Sequence, residues 1–342
     1  MTVSTPLTLM GAPGSPYTRK MLAVMRYRHL PYRLHLSRDG MPEGLPVPKV
    51  ALLPTFFLPN ASGEMEAVVD STPLIRRFEE EFEGRSVIPT DPVIAFLDYL
   101  LEDYADEWLT KPMFHYRWHF QADIDKAAAI LPRWTLKPQT EDEALKLGEI
   151  FADRQISRLH VVGSSDETAP VIEASYERYL GAMRAHLETS SFLFGARPSS
   201  SDFGMYGQLT QLATFDPTPM QLTLDKAPAV YAWVDMVDDL SGVDAAEDAW
   251  TKRDAIPPTL IDLFKEVGAY YVPALLANAK ALMEGADTVE TEIDGARWVQ
   301  KPFAYQGKCL RWLRDQHGAL ADADRAVVDD VLAGTGCEKL FA

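Results

Sequence analysis

The sequence predicts an α/β + all-α fold class: a βαβ-ββα domain over residues 1–88, then a helical domain over residues 92–342 with a C-terminal extension from about residue 241. Three observations predict it. A short apolar run, Leu7 to Met10, breaks at Gly11-Ala12-Pro13-Gly14 into positions at helical spacing, Tyr17, Met21, Val24 and Met25. Two β-type runs, Thr55 to Leu58 and Ala67 to Val69, flank the turn formers Pro59-Asn60-Ala61-Ser62-Gly63-Glu64. From Pro92 onward, apolar positions recur with helical period, beginning with Phe96, Leu100, Tyr104 and Trp108.

Leu7 to Met10 is a buried strand, and the helix that follows begins near Ser15-Pro16, with proline where its missing N–H costs nothing. Tyr32-Arg33-Leu34-His35-Leu36 alternates as a second strand, and Gly40 to Pro48 is an irregular surface connection. The 55–69 segment is an antiparallel hairpin. A helix starts at Ser71 or Thr72 with Pro73 in its first turn and Leu74, Ile75, Phe78 and Phe82 on one face. In the second domain, Pro198-Ser199-Ser200-Ser201-Asp202-Phe203 has the form of a helix cap, with Tyr206, Leu209 and Leu212 on the buried face behind it. The extension contains a helical passage from Pro258 to Met283, a hairpin turning at Asp294-Gly295, and helices over Pro302–His317 and Asp322–Leu332.

The chain has 342 residues, enough for two domains, and a formal net charge of −17, which argues against binding nucleic-acid phosphates or anionic membranes. It lacks a run of about 18 apolar residues and a signal-peptide pattern, so a cytoplasmic location is expected. Cys309 and Cys337 have no metal or disulfide spacing, and His115, His119 and Asp123, at i, i+4 and i+8, form no further ligand motif; no metal is expected.

The βαβ-ββα order, Leu53-Pro54 before the third strand, Asp70-Ser71 opening the last helix, and the Phe192 to Phe203 segment together resemble the glutathione transferase family, whose N-terminal domain is thioredoxin-like. The resemblance implies that Ser15 hydrogen-bonds the glutathione sulfur, with Tyr17 as a supporting hydroxyl. It implies a cis Pro54 that exposes the Leu53 backbone to the cysteinyl part of the tripeptide. Asp70 would hold the γ-glutamyl ammonium, and Ser71 with its helix N-terminus the α-carboxylate. Where many members place a basic residue for the glycyl carboxylate, this chain has Ala51-Leu52-Leu53.

The chemistry needs little energy. Lowering a thiol pKa from about 8.5 by ~2 units takes roughly 2.7 kcal/mol. One hydrogen bond to the anion contributes about 1.5–3 kcal/mol, and a helix N-terminus adds up to ~1–2 kcal/mol. Glutathione, as co-substrate, would supply the nucleophile for a small, largely apolar electrophile. Tyr104, Trp108 and Tyr116 are candidates to line the electrophile's site, although aromatics at helical spacing are more often core. The family further implies a homodimer and a detoxification role. Two alternatives remain open: glutathione-dependent isomerase, lyase or dehalogenase chemistry, and a non-catalytic binding or scaffold protein, consistent with the absent basic residue and the long extension.

Overall fold

The computed structural model describes residues 6–138, 140–246 and 249–342. β1 (Leu7–Gly11) runs parallel to β2 (Tyr32–Leu36) and is joined to it through α1 (Pro16–Tyr27). β3 (Thr55–Pro59) pairs antiparallel with both β1 and β4 (Met65–Val68), giving the order β2-β1-β3-β4. Thr55 to Leu58 are all buried, as expected of a strand covered on both faces. On one of those faces α2 (Ser71–Glu81) places Phe78 with its ring centroid 5.4 Å from that of Phe56. The thioredoxin-like sheet and the helical part that follows it match the expected fold class.

The helical part starts with α3 (Pro92–Glu107), α4 (Thr110–His119), α5 (Gln121–Thr135) and α6 (Glu141–Ile156). It continues with α7 (Ala169–Leu187), α8 (Ser200–Leu212), α9 (Pro217–Lys226) and α10 (Pro228–Val237). Every residue of α8 is buried. Its cap is built as the sequence implied: Asp202 reaches back to accept from the Ser199 N–H at 2.8 Å and from the Leu193 N–H at 2.9 Å, tying the preceding loop to the helix start.

α8 crosses α1 at Gly207, where a Cβ would lie 2.7 Å from the Pro16 carbonyl oxygen and 3.1 Å from Lys20 Cβ. Gly207→Ala therefore pushes the two domains apart. The overpacking cost of about 1–3 kcal/mol outweighs the roughly 1 kcal/mol that alanine gains in a helix. The expected result is a lower urea midpoint at unchanged m-value.

The extension folds as α11 (Pro258–Glu266), a π-turn over Val267–Tyr271, α12 (Val272–Glu284), β5 (Val289–Ile293), β6 (Ala296–Gln300), α13 (Ala304–Ala319) and α14 (Asp322–Leu332). The helical passage expected from Pro258 is thus present and contains a π-turn. At that turn Gly268 abuts Thr335, whose carbonyl would be 2.0 Å from a Cβ. The hairpin turns at Asp294 and Gly295, both at positive φ, 51° and 76°, as a two-residue primed turn requires. α13 and α14 pack against α3. As a result α3 is buried along its whole length except Pro92 and Ala95. Among the described residues, no helix is long and apolar enough to cross a membrane.

Candidate functional site

Three segments lie at one end of the four-stranded sheet. The first is the start of α1, where Ser15 is the N-cap in extended conformation (φ −96°, ψ 117°) and accepts from the Thr18 N–H at 3.2 Å. The second is the entry to β3, where the Leu53-Pro54 bond is cis. The third is the start of α2, where Asp70 has φ 87°, a conformation unusual for a side chain other than glycine. The Ser15 hydroxyl donates to the Leu53 carbonyl at 3.0 Å, so the first two segments are in direct contact.

Asp70 and Ser71 are engaged by other parts of the chain. Asp70 Oδ2 accepts from the Tyr305 hydroxyl of α13 at 2.7 Å, across 235 positions of sequence. Ser71 Oγ accepts from Lys20 Nζ at 3.2 Å. Tyr17 donates to the Asp106 carbonyl at 2.8 Å, tying α1 to α3. Burial, then Glu107 and Asp106, push its phenol far above the usual range, so it stays a neutral donor.

Beneath these groups lies a buried charge cluster. Lys20 Nζ bonds Glu102 Oε1 at 2.7 Å and Asp106 Oδ2 at 2.5 Å, and the Thr72 hydroxyl lies 3.1 Å from both carboxylates, with one proton to donate to either. Arg76 pairs with Glu102 and lies 4.8 Å over the Tyr99 ring. Burial alone would push Lys20 down, but Asp106 and Glu102 outweigh it and hold the ammonium charged. Burial would raise Glu102, but Arg76 and Lys20 bring it down to about 2. Asp106 moves the other way: burial and the nearby Glu102 raise it despite Lys20, and its Oδ1 is buried with no hydrogen-bond partner among the described residues.

Sequence reasoning missed this cluster and Tyr305. Asp98, Glu102 and Asp106 fall at i, i+4 and i+8 on one face of α3, and that spacing was the available signal. No comparable signal links Tyr305 to Asp70. Arg76, on α2, belongs to the cluster as well.

Tyr104, Trp108 and Tyr116 are core residues, 1%, 0% and 3% exposed, and not the walls of an open cleft. Tyr104 packs edge-on to Tyr271 of the extension, Trp108 donates its Nε1–H to Ser175 at 3.1 Å and tilts against Trp298, and Tyr116 stacks on Phe120. The apolar surface near Ser15 comes from elsewhere. A Cβ on Gly14 would lie 2.5 Å from Leu131 and 3.1 Å from Trp134, so the end of α5 flanks the Ser15 turn. Ser37 donates to the Trp134 carbonyl at 3.3 Å, which brings the segment after β2 to the same place. Leu36, Val47, Val50 and Leu52 in that segment, and Leu136 after α5, are exposed. A groove of about 780 Å³ lies away from these groups, between α12 and β5.

The N-terminal-domain profile of glutathione S-transferases matches residues 9–86, and the C-terminal-domain profile matches residues 152–235. Several solved structures are similar. One is a glutathione S-transferase from Methylobacterium radiotolerans in complex with glutathione sulfonate, 18% identical over 72% of this chain and 95% of that one, with a TM-score of 0.40. Another is a glutathione transferase family member from Pseudomonas fluorescens with two glutathione bound, 15% identical over 70% and 95%, TM-score 0.43. A third is FzlA from C. crescentus, 16% identical over 72% and 96%, TM-score 0.39. No curated protein matches the chain.

Proposed function

The chain belongs to the glutathione transferase family, and we propose that it binds glutathione at the Ser15 turn and holds the ligand sulfur as a thiolate for transfer to a small, largely apolar electrophile. The observation that carries this reading is the contact of the Ser15 hydroxyl with the Leu53 carbonyl at 3.0 Å, at the N-terminus of α1 and beside the cis Leu53-Pro54 bond. A cysteinyl backbone pairing with Leu53 brings its sulfur next to Ser15. The hydroxyl has one proton, so it leaves Leu53 for the thiolate, a charged and therefore stronger acceptor. Asp70 takes the ligand's ammonium, and Ser71 with the N–H groups opening α2 takes its α-carboxylate. Ser71 accepts from Lys20 and so keeps its own proton to donate to that carboxylate.

The electrophile in this reading lies against the apolar rim formed by Leu36, Leu52, Trp134 and Leu136, in place of the buried Tyr104, Trp108 and Tyr116. A cytoplasmic homodimer with a detoxification role completes the proposal on family grounds. A non-catalytic binding or scaffold protein with the glutathione transferase fold is the second reading. It is favoured by one observation: Asp70 and Ser71 already have partners within the chain.

Ser15→Ala tests the main reading. The thiol pKa of bound glutathione, followed by thiolate absorbance, is expected to rise by about 1–2 units, and conjugation at neutral pH to slow roughly 10- to 100-fold. An unchanged thiol pKa and unchanged turnover would remove Ser15 from the chemistry.

A further inference from the structure

The start of α13 is pinned from both sides. Asn278 of α12, fully buried, clamps Phe303 by accepting its N–H at 2.7 Å and donating to its carbonyl at 3.0 Å. Three residues later, buried Gln306 donates to the Glu107 carbonyl at the end of α3 at 3.3 Å. Tyr305 sits between these anchors, half-buried, with its ring 6.3 Å from Phe303 and edge-on to Trp312. Its hydroxyl donates to Asp70 Oδ2 at 2.7 Å. Among the described residues nothing donates to the other oxygen of Asp70, and Asp70 is only half-buried.

We infer that Tyr305 is a specificity-determining residue: the extension places its phenol as a wall of the γ-glutamyl subsite, orienting Asp70 toward a primary ammonium and leaving no room for an acylated amine. This rests on the assignment of Asp70 to the ligand's ammonium. The phenol is suited to the task because burial and the Asp70 charge raise its pKa far above the usual range, so it remains a donor. It occupies one carboxylate oxygen and fixes the direction of the other. The rigid anchors at Phe303 and Gln306 keep the ring from yielding to a bulkier ligand. The ligand class is a γ-glutamyl thiol with a free amine, and ligands acylated at that nitrogen are excluded.

Calorimetric titration of the full chain with glutathione and with N-acetylglutathione tests the inference, because the ratio of the two affinities is internal to each variant. The native chain is expected to prefer glutathione. Tyr305→Phe is expected to weaken glutathione roughly 3- to 10-fold while leaving N-acetylglutathione little changed, since only the charged amine uses the oriented carboxylate. Tyr305→Ala, which also opens space, is expected to narrow the preference by at least about tenfold. A merely structural loss lowers both affinities together and leaves the ratio where it was. An unchanged ratio in both variants, with the native chain binding glutathione, would overturn the role of Tyr305 and leave the glutathione site standing. Glutathione binding that appears only in Tyr305→Ala would also overturn it, and would identify the α13 start as a plug. If neither the native chain nor Tyr305→Ala binds glutathione, or if Asp70→Asn leaves glutathione affinity unchanged, the underlying site assignment fails and the inference with it.

Discussion

Lys20→Met is expected to destabilise the protein by about 3–5 kcal/mol, the cost typical of breaking a buried ion pair by removing one partner. Lys20 is fully buried and is the cation shared by Glu102 and Asp106. Glu102 retains Arg76 when Lys20 is lost, but Asp106 is left with Thr72 as its donor and an oxygen that has no partner. Asp106 then takes up a proton, because burial and the Glu102 charge already favour its neutral form. The destabilisation should therefore be smaller near pH 5 than near pH 8, and Asp106→Asn placed in the same chain should recover part of it. Urea denaturation of the native chain and the two variants at both pH values measures this. A loss below about 1 kcal/mol would mean that water solvates the carboxylates and that the cluster is not sealed.

Stability of the native chain is expected to fall as pH rises from about 5 to 8, by on the order of 2–4 kcal/mol. The groups responsible are Asp103 and Glu107 at the end of α3. Burial pushes Asp103 up to about 7, with the Tyr271 hydrogen bond opposing and Asp106 and Glu102 adding to the rise. Burial, then the charges of Asp103 and Asp106, push Glu107 up to about 8. The unfolded chain releases these protons near pH 4, whereas the folded chain retains them to pH 7 or 8. Across that window the native state binds more protons, so stability drops with increasing pH. Asp202, raised by burial to about 7, acts in the same direction. Glu102, whose pKa is depressed, has the opposite slope but only below pH 4.5, and His115, which burial lowers to about 3, opposes the fall below about pH 6.5. Lys111, lowered by burial to about 8, recovers some stability above pH 8, so the decline is steepest below it. Glu107→Gln should flatten the profile and be more stable than the native chain at pH 8. A denaturation midpoint that rises between pH 5.5 and 8 would contradict the assignment.

Local signals made the sheet and its connections legible. β2 is bounded as expected, Pro16 and Pro92 open their helices, and Asp294-Gly295 turns its hairpin. Each is a matter of backbone conformation within a few residues, where proline, glycine and capping side chains restrict the choices directly. The Ser15, Leu53-Pro54 and Asp70-Ser71 segments were legible as a set only through the resemblance to the glutathione transferase family; the sheet order brings the three to one end of the sheet.

The aromatic residues show why the rest was not. Helical spacing correctly put Tyr104 and Trp108 on one face of α3, but period alone does not say what covers that face. The covering elements come from a segment more than 150 residues later: Tyr271 packs on Tyr104, and Trp298 on Trp108. The π-turn in the 258–284 helix likewise lies where Gly268 meets Thr335, a contact that no local pattern announces.

By itself, the sequence determined the order of strands and helices and the caps and turns between them, because short-range sterics and hydrogen bonding decide such features. Only the tertiary structure decided that α3 is enclosed by the extension, that Lys20 neutralises two buried carboxylates, and that Tyr305 reaches Asp70. These depend on which distant surfaces share the exclusion of water, and that is settled by packing of the whole chain.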